Sequence, residues 1–346
     1  MRPRTLVALI FITLLVLTLV AGGMGLALQA KRARSWPRRF AGVSSGLPFT
    51  QPTNMMCAAL SPDGKTLLTG NGDGTIEGWD IAAYHKKFGV NVPGGNILSA
   101  SYSPDGSLFA AGSGGQICLA VLKDAQTGAV RREWGNLNLP VYSVAFSPNG
   151  KLLAAGSDRI DVWEVQNGTV VWKQTGHYSY VWGVAFSPDG KILASAGDDG
   201  IIRLRSALTG KLIKQWQAYH SRACAVAFSP DGKSLATVGK DNASSGSVKL
   251  WDVATRKMRL QTPAEDLWAH SVSYLPDGRL AYSPQAGQLA LLSPTGDTHL
   301  VNGNDDLKQP FNSIDASQDG TKIAVACVGG TALVWTVPAP GQPATP

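Results

Sequence analysis

A tight-turn tetrapeptide recurs along this chain at a nearly constant interval. It reads Ser61-Pro62-Asp63-Gly64, Ser103-Pro104-Asp105-Gly106, Ser147-Pro148-Asn149-Gly150, Ser187-Pro188-Asp189-Gly190 and Ser229-Pro230-Asp231-Gly232. Two looser copies follow, Leu275-Pro276-Asp277-Gly278 and Ser317-Gln318-Asp319-Gly320, and successive copies stand 42, 44, 40, 42, 46 and 42 residues apart. Each residue type has a physical role in a turn. Pro presets φ, Asp or Asn bonds its own backbone, and Gly takes the position with φ > 0. The tetrapeptide therefore joins two strands and carries no reaction. A supersecondary unit of this length, repeated seven times, predicts an all-β, seven-bladed propeller of four-stranded antiparallel blades.

The strand ahead of each turn has two unlike faces. Counting back from the turn Ser or its equivalent, the fourth and second positions are small: Ser99/Ser101, Ser143/Ala145, Gly183/Ala185, Ala225/Ala227 and Ser271/Ser273. The first and third positions are mostly larger and apolar, as in Val144/Phe146 and Val184/Phe186. Alternation of period two puts these on opposite faces, the small one toward a crowded central axis and the large one between blades.

The phrases Gly176-His177, Gly78-Trp79-Asp80, Leu250-Trp251-Asp252 and Val162-Trp163-Glu164, with Val-Ala-Phe-Ser-Pro ahead of three turns, resemble the WD-repeat (WD40-type) family over residues 40–337. The resemblance implies a propeller that serves as a protein-interaction platform without catalysis of its own. It also implies a buried His–Ser/Thr–Asp–Trp network, here His220, Thr237, Asp241 and Trp251 in blade 5, and His177, Ser195 and Asp199 in blade 4, where Arg205 fills the Trp position. Third-strand Trp occurs in blades 1, 3, 5 and 7 (Trp79, Trp163, Trp251, Trp335) and is missing from blades 2, 4 and 6, an alternation the sequence alone does not explain.

Net charge is +7, but its location matters more than its size. Arg2, Arg4, Lys31, Arg32, Arg34, Arg38 and Arg39 stand in the first forty residues with no acid among them; without them the chain carries 24 basic and 24 acidic residues. A formally neutral propeller does not point to nucleic acid, and a basic N-terminus points to a membrane surface. Leu6 to Leu28 is an uncharged, apolar run of 23 residues, long enough to span a bilayer. Residues 1–30 are therefore expected to be a single-pass transmembrane anchor, 31–39 a basic juxtamembrane linker and 338–346 a Pro-rich tail. The excess of bases after the run favours a cytoplasmic propeller. The alternative, a cleaved signal peptide and an exported propeller, stays open, because the basic start and the small residues near Ala27 fit it too.

No catalytic, metal or cofactor constellation emerges. The five histidines form no HxH or HExxH pair, the four cysteines no CxxC, and the Gly-Lys-Thr and Gly-Lys-Ser triplets lack the upstream Gly of a phosphate loop. Asp198-Asp199 reads as a solvated turn. Asp315 is the only charged residue on the small inner face, a poor basis for a channel-centred enzyme. The expected activity is capture of a protein or peptide partner, with an exported sensor or assembly factor as the alternative. Five residues before each turn lie Met56, Leu98, Tyr142, Trp182, Cys224, His270 and Asn312, which vary in size and chemistry as a recognition rim would. With Tyr178, Tyr180, Arg222 and Trp268 in the adjoining loops, they make the candidate partner-binding set Tyr142, Tyr178, Tyr180, Trp182, Arg222, Trp268 and His270. Strict alternation would instead bury Trp182 and Tyr142 between blades.

Overall fold

A computed structural model describes residues 38–41, 54–135, 137–241, 246–262, 271–284, 287–301 and 310–337. The apolar run of residues 6–28 lies outside them, as do most of the basic linker and the C-terminal tail. Among the described residues no helix is long and apolar enough to cross a membrane.

The strands form seven four-stranded antiparallel sheets, each one blade. The first strands, which line the axis, are Met55–Leu60, Ile97–Tyr102, Ser143–Phe146, Val181–Phe186, Arg222–Phe228, Val272–Tyr274 and Phe311–Ala316. Second strands such as Leu152–Gly156 are buried throughout, so they read as continuous apolar runs rather than alternating ones. Fourth strands such as His85–Asn91 alternate exposed and half-buried residues, because one of their faces meets water.

The recurring turn works as its chemistry requires. In blade 4, Ser187 Oγ donates to Asp189 Oδ1 at 2.6 Å, while the Lys191 and Ile192 N–H groups donate to Asp189 Oδ1 and Ser187 Oγ. The Gly190 N–H closes the turn onto Ser187 O at 2.8 Å with φ +69, a conformation that favours glycine. Neighbouring turns touch: a Cβ on Gly190 would lie 3.7 Å from Pro148 Cδ, and one on Gly232 3.6 Å from Pro188 Cδ.

The small inner faces do more than relieve crowding. Ser99 Oγ accepts from the Val144 N–H of the next blade at 2.9 Å, Ser143 Oγ from Val184 N–H at 3.1 Å, and Ser273 Oγ from Ala316 N–H at 3.1 Å. Hydroxyls thus satisfy edge donors that inner strands would otherwise leave open. At Gly183 the backbones of blades 4 and 5 approach directly: a Cβ there would sit 3.0 Å from Ala225 Cα.

The hydrophobic core is divided into seven clusters, one for each seam between neighbouring blades. The last seam closes through the N-terminus. Arg38–Ala41 pairs antiparallel with Thr331–Thr336, Arg38 facing Val334 and Ala41 facing Thr331, and supplies the outer strand of blade 7. The sequence places this strand between Phe40 and Pro48. It starts two residues earlier, so Arg38 and Arg39 belong to the blade rather than to the linker. Residues 42–48 lie outside the described residues.

Across blades 2 to 5 the alternation of third-strand tryptophans has a physical account. Each seam from blade 1 to blade 5 receives an aromatic ring from the outer strand of the preceding blade. Trp134 stacks on Trp163 at 4.9 Å and Trp216 meets Trp251 at 5.7 Å, so blades 3 and 5 keep the third-strand Trp. Where blades 2 and 4 carry Lys123 and Arg205 instead, the incoming ring sits two residues earlier on the outer strand. Phe88 stacks on Phe109 at 5.9 Å, and the Trp172 indole N–H donates to Ala207 O at 2.8 Å. The two ring positions compensate each other in volume, as a close-packed interior requires.

Candidate functional site at the channel mouth

The seven inner strands enclose a central channel of about 320 Å³, with Leu98, Tyr142, Trp182, Cys224 and Asn312 at the end where those strands begin. What turns Leu98, Trp182, Cys224 and Asn312 inward is a β-bulge. Strand register shifts between Met55 and Cys57, Ile97 and Ser99, Val181 and Gly183, Ala223 and Ala225, and Phe311 and Ser313. In each case the skipped residue is the variable one five before the turn. A bulge re-aims a side chain that strict alternation would send to the other face. The residue before it takes the interblade position instead: Met55, Ile97, Val181, Ala223 and Phe311 are fully buried. The alternation that would bury Trp182 therefore breaks one residue before it applies.

Around blades 3 to 5 the mouth is aromatic. The rings of Tyr142 and Trp182 lie 4.3 Å apart, those of Tyr142 and Tyr180 5.3 Å, and those of Tyr180 and Trp182 5.6 Å. The Arg222 guanidinium lies 4.6 Å from the Trp182 ring centre, a cation–π contact. Asp198 fixes both: it accepts from Trp182 Nε1 at 3.0 Å and pairs with Arg222 Nε at 2.8 Å. Burial, with Tyr180 beside it, holds the Tyr142 phenol above its ordinary pKa, so it remains a neutral donor at physiological pH. All four residues are half-buried. Of the candidate set, Tyr142, Tyr180, Trp182 and Arg222 come together. Tyr178 is 93% exposed and makes no ring contact with them, and Trp268 and His270 lie outside the described residues.

Asp198, read from the sequence as a solvated turn acid, is the clamp of this cluster. Its neighbour Asp199 is not solvated either. Its side chain is 1% exposed, with His177 Nδ1 2.8 Å from Oδ1 and Arg203 Nη1 2.7 Å from Oδ2. Burial opposes its charge, but His177, Arg203 and the Ile201 N–H overcome that and hold its pKa at about 2. Burial keeps the His177 ring neutral, against the pull of Asp199, so the ion pair here is Asp199–Arg203. His177 Nε2 lies 2.9 Å from Ser195 Oγ, which completes the blade 4 network as the family resemblance implies. Arg205, in the Trp position, reaches the carbonyls of Gly210 at 3.1 Å and Thr175 at 3.3 Å.

In blade 5 the resemblance holds for Trp251, which donates to Thr237 Oγ1 at 2.9 Å, and fails for His220. His220 is 88% exposed at its side chain and reaches Asp241 at 3.5 Å from the surface rather than from a buried seat, while Asp241 also pairs with Lys249 Nζ at 2.9 Å. Tyr219 occupies the buried seat, its hydroxyl donating to Thr237 O at 2.9 Å under the Lys249 ammonium. Register shows why. His177 and Tyr219 both stand ten residues before the turn Ser, whereas His220 stands nine before it. Both rings also lie over a glycine: a Cβ would meet His177 Nδ1 at 2.0 Å on Gly197, and Tyr219 Cδ2 at 2.6 Å on Gly239. Counting from the turn, rather than seeking a His, would have found Tyr219.

From the mouth inward, Asn312, Ser313 and Asp315 bond the first strand of blade 1 along its length. Asn312 Nδ2 donates to Met55 O at 2.8 Å, Ser313 Oγ accepts from Ala58 N–H at 3.4 Å, and Asp315 Oδ2 accepts from Leu60 N–H at 2.8 Å. Asp315 thus holds the closing seam of the ring. Among the described residues no group of three or more His, Cys, Asp or Glu is placed to hold a metal ion.

The sequence model of the WD domain, G-beta repeat, matches residues 49–80, 89–119, 133–160, 168–206 and 210–252, together half of the chain. The matches end within blade 5, and blades 6 and 7 are recognised by their turns and sheets. Among curated proteins, no relative matches the chain. The repeat matches and the seven closed blades agree: the chain belongs to the WD40 repeat family and folds as a seven-bladed propeller.

Proposed function

We propose that this protein is a membrane-tethered, non-catalytic interaction scaffold that captures a protein or peptide partner at the Tyr142–Tyr180–Trp182–Arg222 mouth of its channel. WD40 propellers are typically protein-interaction platforms, and the bulge that turns Trp182 out of the seam is the observation that carries the reading to this site. Tyr, Trp and Arg carry most hot-spot energy at interfaces, and here Asp198 pre-organises Trp182 and Arg222, which lowers the ordering cost of binding. The tether is the apolar run of residues 6–28. Its flanking bases favour a cytoplasmic propeller held near anionic lipid.

The Tyr180→Ala, Trp182→Ala double variant should lose partner capture from detergent-solubilised membranes by more than about thirtyfold, while its melt stays cooperative. Unchanged capture would move the site to another face, and loss of folding would return these rings to the core. Reporter fusions after Arg39 and after Pro346 check the compartment. Should the mature chain begin near Lys31 on N-terminal sequencing, the tether is a signal peptide and the propeller is exported.

A further inference from the structure

The two ends of the propeller differ in what they leave exposed. Among the described residues nine large hydrophobic side chains stay exposed, and two of them, Ile117 and Tyr178, stand at the mouth end. The other seven lie at the opposite end, in or beside the turns that join third strands to fourth. Val130, Val170, Leu212 and Met258 begin the outer strands of blades 2 to 5, and Tyr84 precedes that of blade 1. Blade 4 adds Ile213 and Leu208, the latter 69% exposed. Hydrophobic residues scattered singly over a surface need no explanation, but a row confined to one rim of five consecutive blades does. Bases interleave with it: Lys211 and Lys214 flank Leu212 and Ile213, and Lys257 and Arg259 flank Met258. Such a pattern suits a bilayer interface, where the apolar group enters the acyl boundary and the cation stays with the headgroups.

The direction of the closing strand points to what lies against this rim. Arg38 faces Val334, and Thr336, two residues further along the same partner strand, faces Lys322, the first strand residue after the blade 7 turn. The chain before Arg38 therefore leaves the propeller at its turn end, the end that carries the exposed row. Leu28, the last residue of the apolar run, precedes Arg38 by ten residues, a reach of at most about 35 Å. We infer that the turn-end rim is a lipid-binding surface, in which Leu208, Leu212 and Ile213 of blade 4 enter a bilayer interface while the neighbouring lysines meet anionic headgroups. This surface rests on the tether reading for its nearness to lipid. Held at blade 7 by the chain and at blade 4 by these side chains, the propeller turns its tight turns to the membrane and opens its channel mouth away from it.

The experiment places an environment-sensitive fluorophore on Leu208→Cys or, at the mouth end, on Ile117→Cys of the full-length protein; the four native cysteines are buried and stay unlabelled. Each is reconstituted in vesicles of phosphatidylcholine with about one-third phosphatidylglycerol. Spin-labelled lipid should quench the Leu208→Cys label at least about threefold more than the Ile117→Cys label. Adding Leu212→Ser and Ile213→Ser should remove the difference and leave the melting temperature in detergent unchanged, because both side chains are exposed on the propeller. Equal quenching at the two ends, in protein that alkaline extraction leaves in the vesicles, would overturn the inference and leave the tether reading standing. Release by alkali would sink the tether instead. Quenching of the Leu208→Cys label by added vesicles would then sustain the lipid surface, and its absence would overturn it. A blue shift of that label with rising protein concentration in detergent would assign the rim to a second copy of the chain, which also overturns the inference.

Discussion

At the scale of single residues, Asp315 and Gly197 show how much one side chain decides. Burial pushes the Asp315 carboxyl up to about 6 from an ordinary 3.8, against the lowering effect of the Leu60 and Ala316 N–H groups and the Ser273 hydroxyl. Because the folded value lies above the unfolded one, the folded chain holds an extra proton between pH 4 and 6. This group's contribution to stability therefore falls as pH rises through that window and stays low above it. Its upper bound is about 3 kcal/mol, reduced because part of the side chain, though enclosed by protein, still meets channel water. Asp315→Asn keeps an acceptor for Leu60 and removes the charge. It should raise the denaturation midpoint at pH 7.5 and leave it unchanged at pH 4, which urea titrations at the two pH values check. Gly197→Ala should cost about 1–3 kcal/mol by driving a methyl into His177. Thermal melts read that loss, and Ala at an exposed position such as Lys211, just before the outer strand Leu212–Gln217, serves as the neutral control.

At the scale of elements, the recurring turn and the bulge at the other end divide the work of the first strand in blades 1, 2, 4, 5 and 7. The turn sets register, and its glycine carries the cost of φ > 0. Gly190→Ala should destabilise by about 1–2 kcal/mol, measured by chemical denaturation, with binding at the channel mouth unchanged. The turn was legible because Pro, Asp and Gly have few other uses in combination. The bulge was not, because nothing in Val181-Trp182-Gly183 distinguishes a strand with an extra residue from one without. It follows from the need to bury Val181 in the seam while blades 4 and 5 approach at Gly183. The same limit applied to Asp198 and Asp199, two adjacent acids of one turn that tertiary packing sends to different partners, Arg222 and Arg203.

At the scale of the whole molecule, stability rests on closure, because each blade buries its faces only against its neighbours. Removal of Arg38–Ala41 would strip the outer strand from blade 7 and expose an open edge beside Thr331–Thr336. A chain lacking residues 38–41 should melt at least 10 °C lower on the scale of about 2–4 °C per kcal/mol, and as one transition. A chain lacking residues 338–346 should melt with the intact protein. Equal loss in the two truncations would mean that the pairing with Thr331–Thr336 contributes little.

The sequence by itself determined the seven-fold repeat, the all-β class, the small inner face and the residue types at the channel mouth. Each of these follows from local chemistry or a period of two, which a chain carries in one dimension. Tertiary structure alone decided which aromatics reach the mouth, that Tyr219 rather than His220 is buried, and that closure begins at Arg38. Those outcomes depend on which blade lies beside which and on how volumes sum across a seam, and neighbours 40 residues apart in sequence leave no local sign of either.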